Sequence, residues 1–392
     1  MNLVYVGIDR QLHLVSGWED RAVTLGLTAP PAFTLVPPPE DAWSWPTWSP
    51  DGTWIAAFAV VTRDDASGPA RIVTMSIDGL RQTEWADLPD AAPLYLQWHP
   101  SGEALCALTQ VDDDLRLAIV HADRLGHVRA VAQGVPLFFN WTPGGERLWI
   151  HHGERGKPGG SLLIRDPLGD DEDHLYPRKP GSFCAPVFMA GRALIALRGG
   201  EERTSTVASC DEQGGDETEV GDRPGLIAFA PGPGGRAALS SATGGEGSPY
   251  NGIDIVDLAG GAPRRINEGP LLALTWVPGG AALVVFRVDA PANCMSVLKV
   301  DAETGAEQVL GTFWPTRDLF FWLHFFDQFV DSHPLVSSDG AWVTWSGYPA
   351  GEGQADLSAP PRVWVRSLHD IDAAPILVGR GSFATFAPAA RA

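Results

Sequence analysis

The residues in this chain whose types and spacing could do chemistry are few and scattered. Ser332 and His333, with Asp327 and His324 a few residues upstream, have the side chains of a nucleophile, a base and an orienting acid. Their order does not fit that use: an adjacent Ser and His do not readily form the hydrogen-bonded pair, no G-x-S-x-G elbow is present, and nothing marks an oxyanion hole. His151, His152 and His174 beside Asp170-Asp171-Glu172-Asp173 could be imagined as metal ligands. That acidic run lies in a Gly/Pro-rich connection and reads as solvated, and Asp112-Asp113-Asp114 reads as a hairpin tip with too few further oxygen ligands for calcium. No metal, no cofactor and no catalytic residue is expected.

A recurring phrase must position whatever chemistry there is. Trp48-Ser49-Pro50-Asp51-Gly52 returns as Trp98-His99-Pro100-Ser101-Gly102, Trp141-Thr142-Pro143-Gly144-Gly145, Phe229-Ala230-Pro231 and Trp276-Val277-Pro278-Gly279-Gly280. Eroded copies sit at Phe188-Met189-Ala190-Gly191 and Val336-Ser337-Ser338-Asp339-Gly340, and Phe386-Ala387-Pro388 closes the chain. Pro presets φ for a turn corner, Asp or Ser bonds the backbone two residues on, and Gly accepts positive φ. Each copy thus ends one strand on an aromatic and opens another, such as Trp54 to Val60 or Ala104 to Leu108. Copies recur every 41 to 60 residues, with four short strands per unit, the signature of a β-propeller.

The termini complete the ring. Residues 3–7, 11–16 and 22–28 read as second, third and fourth strands without a first, and 382–388 as a first strand with nothing after it. Joined, they make one composite blade and remove the terminal edges. The expected fold is therefore all-β: eight four-stranded blades (alternatively seven, if the unit around Phe188 is not a blade) in a single domain spanning 1–392.

This repeat resembles that of TolB-like bacterial propellers, which are related to the propeller half of prolyl-oligopeptidase-type peptidases. The resemblance rests most firmly on Trp48 to Gly52 and covers essentially the whole chain. It implies a propeller that serves as scaffold, receptor or gate, without the hydrolase domain of the peptidases.

One segment interrupts the pattern. Between the sixth and seventh units, at about 315–331, Phe321, Trp322, Phe325, Phe326 and Phe329 fall at helical spacing, opposite a stripe of His324, Asp327, Gln328 and Asp331. A short amphipathic helix capped by Thr316 or Asp318 is expected. Its aromatic face either packs on the propeller over one channel mouth or stands exposed, with Phe321, Trp322, Phe325 and Phe329 docking a protein partner.

Residues just before the repeat aromatic should face the channel: Thr47, Gln97, Asn140, Val187, Ala228, Thr275, Leu335 and Thr385. All are neutral, which argues against metal catalysis and suits a small polar ligand. Gln97, Asn140, His324 and Asp327 are the candidate ligand contacts.

Bulk properties narrow the partners. With 28 Lys plus Arg against 48 Asp plus Glu, the formal charge is -20, so the surface repels phosphate and nucleic acid is not an expected partner. Four dispersed cysteines, Cys106, Cys184, Cys210 and Cys294, form no C-x-x-C pair and read as free thiols. No apolar run of about 18 residues spans a membrane, and no secretory leader is visible. Cytoplasmic residence is the default expectation, with the periplasm or exterior open if a leader was removed. Non-catalytic protein interaction is the leading expectation, and ligand or ion binding, or hydrolysis, at one mouth of the channel is the alternative.

Overall fold

The computed structural model describes residues 1–18, 32–34, 41–63, 66–89, 91–155, 160–167, 173–181, 185–200, 204–244, 248–258, 262–289, 294–350, 357–370 and 372–389. Eight antiparallel units of strands are arranged in chain order. Asp41–Trp48 begins the first blade, Ala92–Trp98 the second, Leu137–Trp141 the third, Val187–Met189 the fourth and Leu226–Pro231 the fifth. The weak unit around Phe188 is thus a full four-stranded sheet, which decides for eight blades.

Blades five to seven are continuous through shared strands. Arg264–Trp276 pairs with Tyr250–Asp257 by its first half, as an outer strand, and with Ala282–Asp289 by its second half, as the inner strand of blade six. The eighth blade closes the ring: Gly381–Phe386 pairs antiparallel with Asn2–Gly7, with Leu3 opposite Phe386 and Val6 opposite Phe383. Leu12–Ser16 follows, and Ala32–Thr34 is its fourth strand. The strand expected at 22–28 lies outside the described residues.

The repeat phrase does two jobs. In its turn, the Gly52 N–H donates to the Ser49 carbonyl (2.9 Å), the Ser49 hydroxyl bonds Asp51 (2.5 Å), and Gly52 takes a φ of 69° that a side chain would strain. The aromatic before it ties neighbouring blades: Trp98 Nε1 donates to the Thr47 carbonyl (3.2 Å), Trp276 Nε1 to Ala230 (3.0 Å) and Trp48 Nε1 to Thr385 (3.2 Å) across the closure. A tryptophan supplies both the apolar wedge between blades and a donor that reaches the next inner strand. Of the cysteines, Cys106, Cys210 and Cys294 are buried free thiols, and Cys184 lies outside the described residues.

Blade seven departs from the rest. Its inner strand is split: Phe313 to Pro315 pairs with Gly347 to Pro349, while Val336 bridges Val343 farther along the same strand. Between these halves the chain leaves the sheet for helices α1 (Arg317–His324) and α2 (Phe326–Phe329). Thr316 caps α1, its hydroxyl accepting from Leu319 N (3.2 Å). The insertion that lengthens the longest repeat step therefore projects from the innermost strand of the ring.

Candidate functional site: the plugged channel mouth

Emerging from an inner strand, the insertion has one place to put its aromatic face, and that is the channel. Leu319, Trp322, Leu323, Phe326 and Phe329 are buried in a cluster with Tyr95, Phe139, Ala228, Leu274, Phe286 and Phe383, side chains from the inner layers of several blades. Phe329 packs on Tyr95 (ring centroids 4.7 Å) and Trp45 (5.0 Å). Each such side chain removed from water contributes about 2 kcal/mol before ordering entropy is counted.

Polar groups fix the register of this plug. An inner strand in a propeller has an unpaired edge toward the axis, and Gln328 satisfies it by imitating a peptide group. Its Oε1 accepts from Phe139 N (2.9 Å) and its Nε2 donates to Phe139 O (2.7 Å). Tyr95 donates its hydroxyl proton to the Gln328 carbonyl (2.8 Å). Ala185 N donates to Asp327 Oδ2 (3.0 Å), Thr47 to Ser332 O (3.0 Å), and Thr385 to Pro334 O (3.1 Å).

At the end of the ring that carries the Trp-x-Pro turns, the plug leaves a vestibule. A cavity of about 570 Å³ is lined by Thr47, Gln97, Asn140, Asp331, Ser332 and the rim residues Trp48, Trp98, Trp141, Pro50, Pro100 and Pro143. A second of about 290 Å³ on the fifth- and sixth-blade side includes Thr275, Trp276 and Pro278, and shares Asp331, Pro334 and Pro388 with the first.

The vestibule wall is a short polar chain. Trp141 N donates to Asn140 Oδ1 (2.9 Å), which fixes the orientation of that amide. Gln97 Nε2 then donates to the same oxygen (2.9 Å). Asn140 Nδ2 donates to Pro186 O and to Asp331 Oδ2, both at 3.3 Å. Asp331 is exposed and lines both cavities. The surrounding protein raises its carboxyl above the usual range, and the Asn140 amide counters part of that.

The sequence-predicted contacts divide two and two. Gln97 and Asn140 meet in the vestibule. His324 is half-buried on α1 against Phe325 (ring centroids 4.9 Å) and lines neither cavity. Asp327 is buried at 5% exposure beneath the plug, where desolvation raises its carboxyl to about 7. The residue missed is Asp331. It stood in the polar stripe with Asp327, but only the return of the chain toward the inner strand places it in the mouth.

The aromatic face points inward. Trp322 (fully buried) and Phe329 (2% exposed) are inaccessible, and Phe321 and Phe325 pack partly buried against the same cluster. Packing in the channel takes up the area of Trp322 and Phe329 and much of that of Phe321 and Phe325, which leaves these four little free surface for docking a partner. Only Phe320, on the outward side, is substantially exposed, at 48%.

Adjacent Ser332 and His333 do approach each other, contrary to expectation, with Oγ 2.9 Å from Nδ1. The same Oγ is 2.6 Å from Tyr95 Oη. His333 is fully buried and desolvation drives its ring down to about 3, so it stays neutral. Among the described residues no carboxylate hydrogen-bonds to His333. His151 is buried and His174 sits on an exposed strand, residues 170–172 lie outside the described residues, and Asp112 occupies a hairpin turn with φ of 52°. Among the described residues no group of three or more His, Cys, Asp or Glu could hold a metal ion, and no helix is long and apolar enough to cross a membrane.

No protein-family model matches the chain, and no curated protein matches it. Solved structures do. Prolyl oligopeptidase B from Galerina marginata, bound to a peptide substrate, aligns with a TM-score of 0.58 at 9% identity over 88% of this chain and 51% of that one. An oligogalacturonate lyase in complex with manganese aligns with a TM-score of 0.51 at 13% identity, over 83% and 84%. TolB from Acinetobacter baumannii aligns with a TM-score of 0.42 at 14% identity, over 78% and 62%. This chain thus spans about half the length of the peptidase. At such identities the likeness is one of fold, and the fold is a β-propeller like that of the prolyl oligopeptidases.

Proposed function

We propose that this chain is a non-catalytic binding propeller, a rigid scaffold that takes its ligand at the proline-rimmed mouth. The plug carries this reading. It seals the channel, so that substrate passage along the axis is closed, and turns one mouth into a blind vestibule of about 570 Å³, within the range of ligand pockets. The polar groups there are amides, hydroxyls and one carboxylate, which suit recognition. A protein segment fits the rim and a small molecule fits the floor.

Hydrolysis is the second reading, favoured by the 2.9 Å Ser332–His333 contact. Against it, a base whose conjugate acid is pushed down to about 3 has little driving force to take the serine proton. A fluorophosphonate probe tests this: Ser332 should remain unlabelled over hours, and labelling abolished by Ser332→Ala would replace the binding reading with the hydrolytic one. In parallel, isotope-labelled indoles of Trp48, Trp98 and Trp141 should shift with members of a mixed-charge fragment library, while the indoles of Trp342 and Trp364 do not. No response at the mouth from any fragment would refute it.

A further inference from the structure

The vestibule is one-sided in its charge. Among the described residues lining the two cavities, Asp331 is the only charged one. It is common to both, faces the open space, and makes one hydrogen bond, through Oδ2, to Asn140. The amide donors nearby are largely spent: both Asn140 Nδ2 protons are committed and Gln97 Nε2 points at Asn140. The Gln97 carbonyl oxygen, buried in the same wall, has no partner. Trp141 Nε1, on the same wall, is likewise buried without a partner, so the neutral groups balance. What the wall offers a ligand is the one negative charge of Asp331, with no cation among the described residues lining the cavities.

We propose, resting on the binding reading above, that the vestibule recognises an organic cation, a primary ammonium or guanidinium group, seated on Asp331 with its alkyl stem against the Pro and Trp rim. A divalent metal ion fits less well, because it requires several hard oxygen donors and gains only one carboxylate here. The walls contributed by Pro50, Pro100, Pro143 and Pro334 suit methylenes rather than a hydration shell. The formal charge of -20 draws cations toward the whole surface and repels anions.

The chemistry is shared by a lysine side chain of a partner protein and by a free amine, and the test separates them. The probes are n-butylammonium, n-butanol, butyrate, calcium ion, and two end-blocked tripeptides that carry lysine or norleucine at the centre. The readout is the indole signals of Trp48, Trp98 and Trp141 in the intact chain. Butylammonium and the lysine peptide should bind at least about tenfold more tightly than their uncharged counterparts, the usual margin for a hydrogen bond to a charged group. Asp331→Asn should remove that preference while neutral fragments still reach the mouth, and Asp123→Asn, at a remote exposed site, should leave it intact. A tighter lysine peptide assigns a protein segment; a tighter butylammonium assigns a free amine. Equal binding of butanol, preference for butyrate or calcium, or a preference that survives Asp331→Asn would overturn the proposal. If neutral fragments bind without any charge preference, this inference falls and the binding reading stands; if nothing binds, both fall.

Discussion

Replacing Asp327 by Asn should make the protein respond to pH in a way most buried-site variants do not. Asp327 is a carboxyl at 5% exposure whose hydrogen bond from Ala185 N (3.0 Å) is its one external tie. Desolvation raises it from 3.8 to about 7. A folded-state value above the unfolded one means the folded chain binds the extra proton. The favourable contribution is complete below the unfolded value near 4, is lost as pH rises toward 7, and is absent above that. The penalty at pH 8 relative to pH 4 is about 4 kcal/mol at 1.36 kcal/mol per unit. Unfolding entropy scales to about 0.8 kcal/mol per degree for a chain of 392 residues, so this corresponds to about 5 °C in Tm.

Asn keeps the acceptor for Ala185 and cannot ionise. It adds an N–H that needs a partner, at a roughly pH-independent cost of about 1–3 kcal/mol. The absolute Tm of the variant can therefore shift either way, but the variant-minus-parent difference should climb by about 5 °C between pH 4 and pH 8. Carboxylates held low by local partners, such as Asp51 by Ser49 and Thr53, and Glu307 by Arg287, pull in the opposite sense and cancel in that difference. Calorimetric scans of both proteins across the range make the measurement. A difference flat to within a degree would refute the assignment of Asp327 as a buried acid whose desolvation outweighs its backbone hydrogen bonds.

Phe329→Ala should lower stability by about 3–5 kcal/mol, because it empties a site enclosed by Trp45, Tyr95, Phe321 and His333; the urea midpoint checks this, and a loss below about 1 kcal/mol would mean the plug is not packed in the channel. Removing residues 381–392 should open the ring by deleting the partner of Asn2–Gly7, and light scattering should detect association through the exposed edge; a monomer of unchanged Tm would refute closure. Gly145→Ala should cost more than the ordinary strain of a φ of 84°, since a Cβ there would lie 2.3 Å from His99 Nε2; thermal melts compared with Gly191→Ala, at φ 74° in open space, isolate the clash.

Local chemistry made the ring legible from the chain alone. A Pro-Asp-Gly turn is specified by the φ preferences and short-range hydrogen bonds of its own residues, so the copies at Trp48, Trp98, Trp141 and Trp276 announced their strands. The blade closed by the two ends followed because strands lacking a partner at one terminus matched one lacking a successor at the other. Thr316 as helix cap and the aromatic stripe from Phe321 to Phe329 were likewise local patterns.

Where that stripe points was not local. An amphipathic helix declares that one face avoids water, and the same pattern serves a channel wall, a second protein or the outside of the ring. Only the splitting of the seventh inner strand, with Phe313 to Pro315 on one side and Val336 on the other, sends it down the axis. The same fact decided the site. Gln97 and Asn140 could be placed near the axis from their position before the repeat tryptophans, but Asp331 reaches Asn140 across 191 positions of sequence, a pairing set by packing between blades rather than by any spacing along the chain.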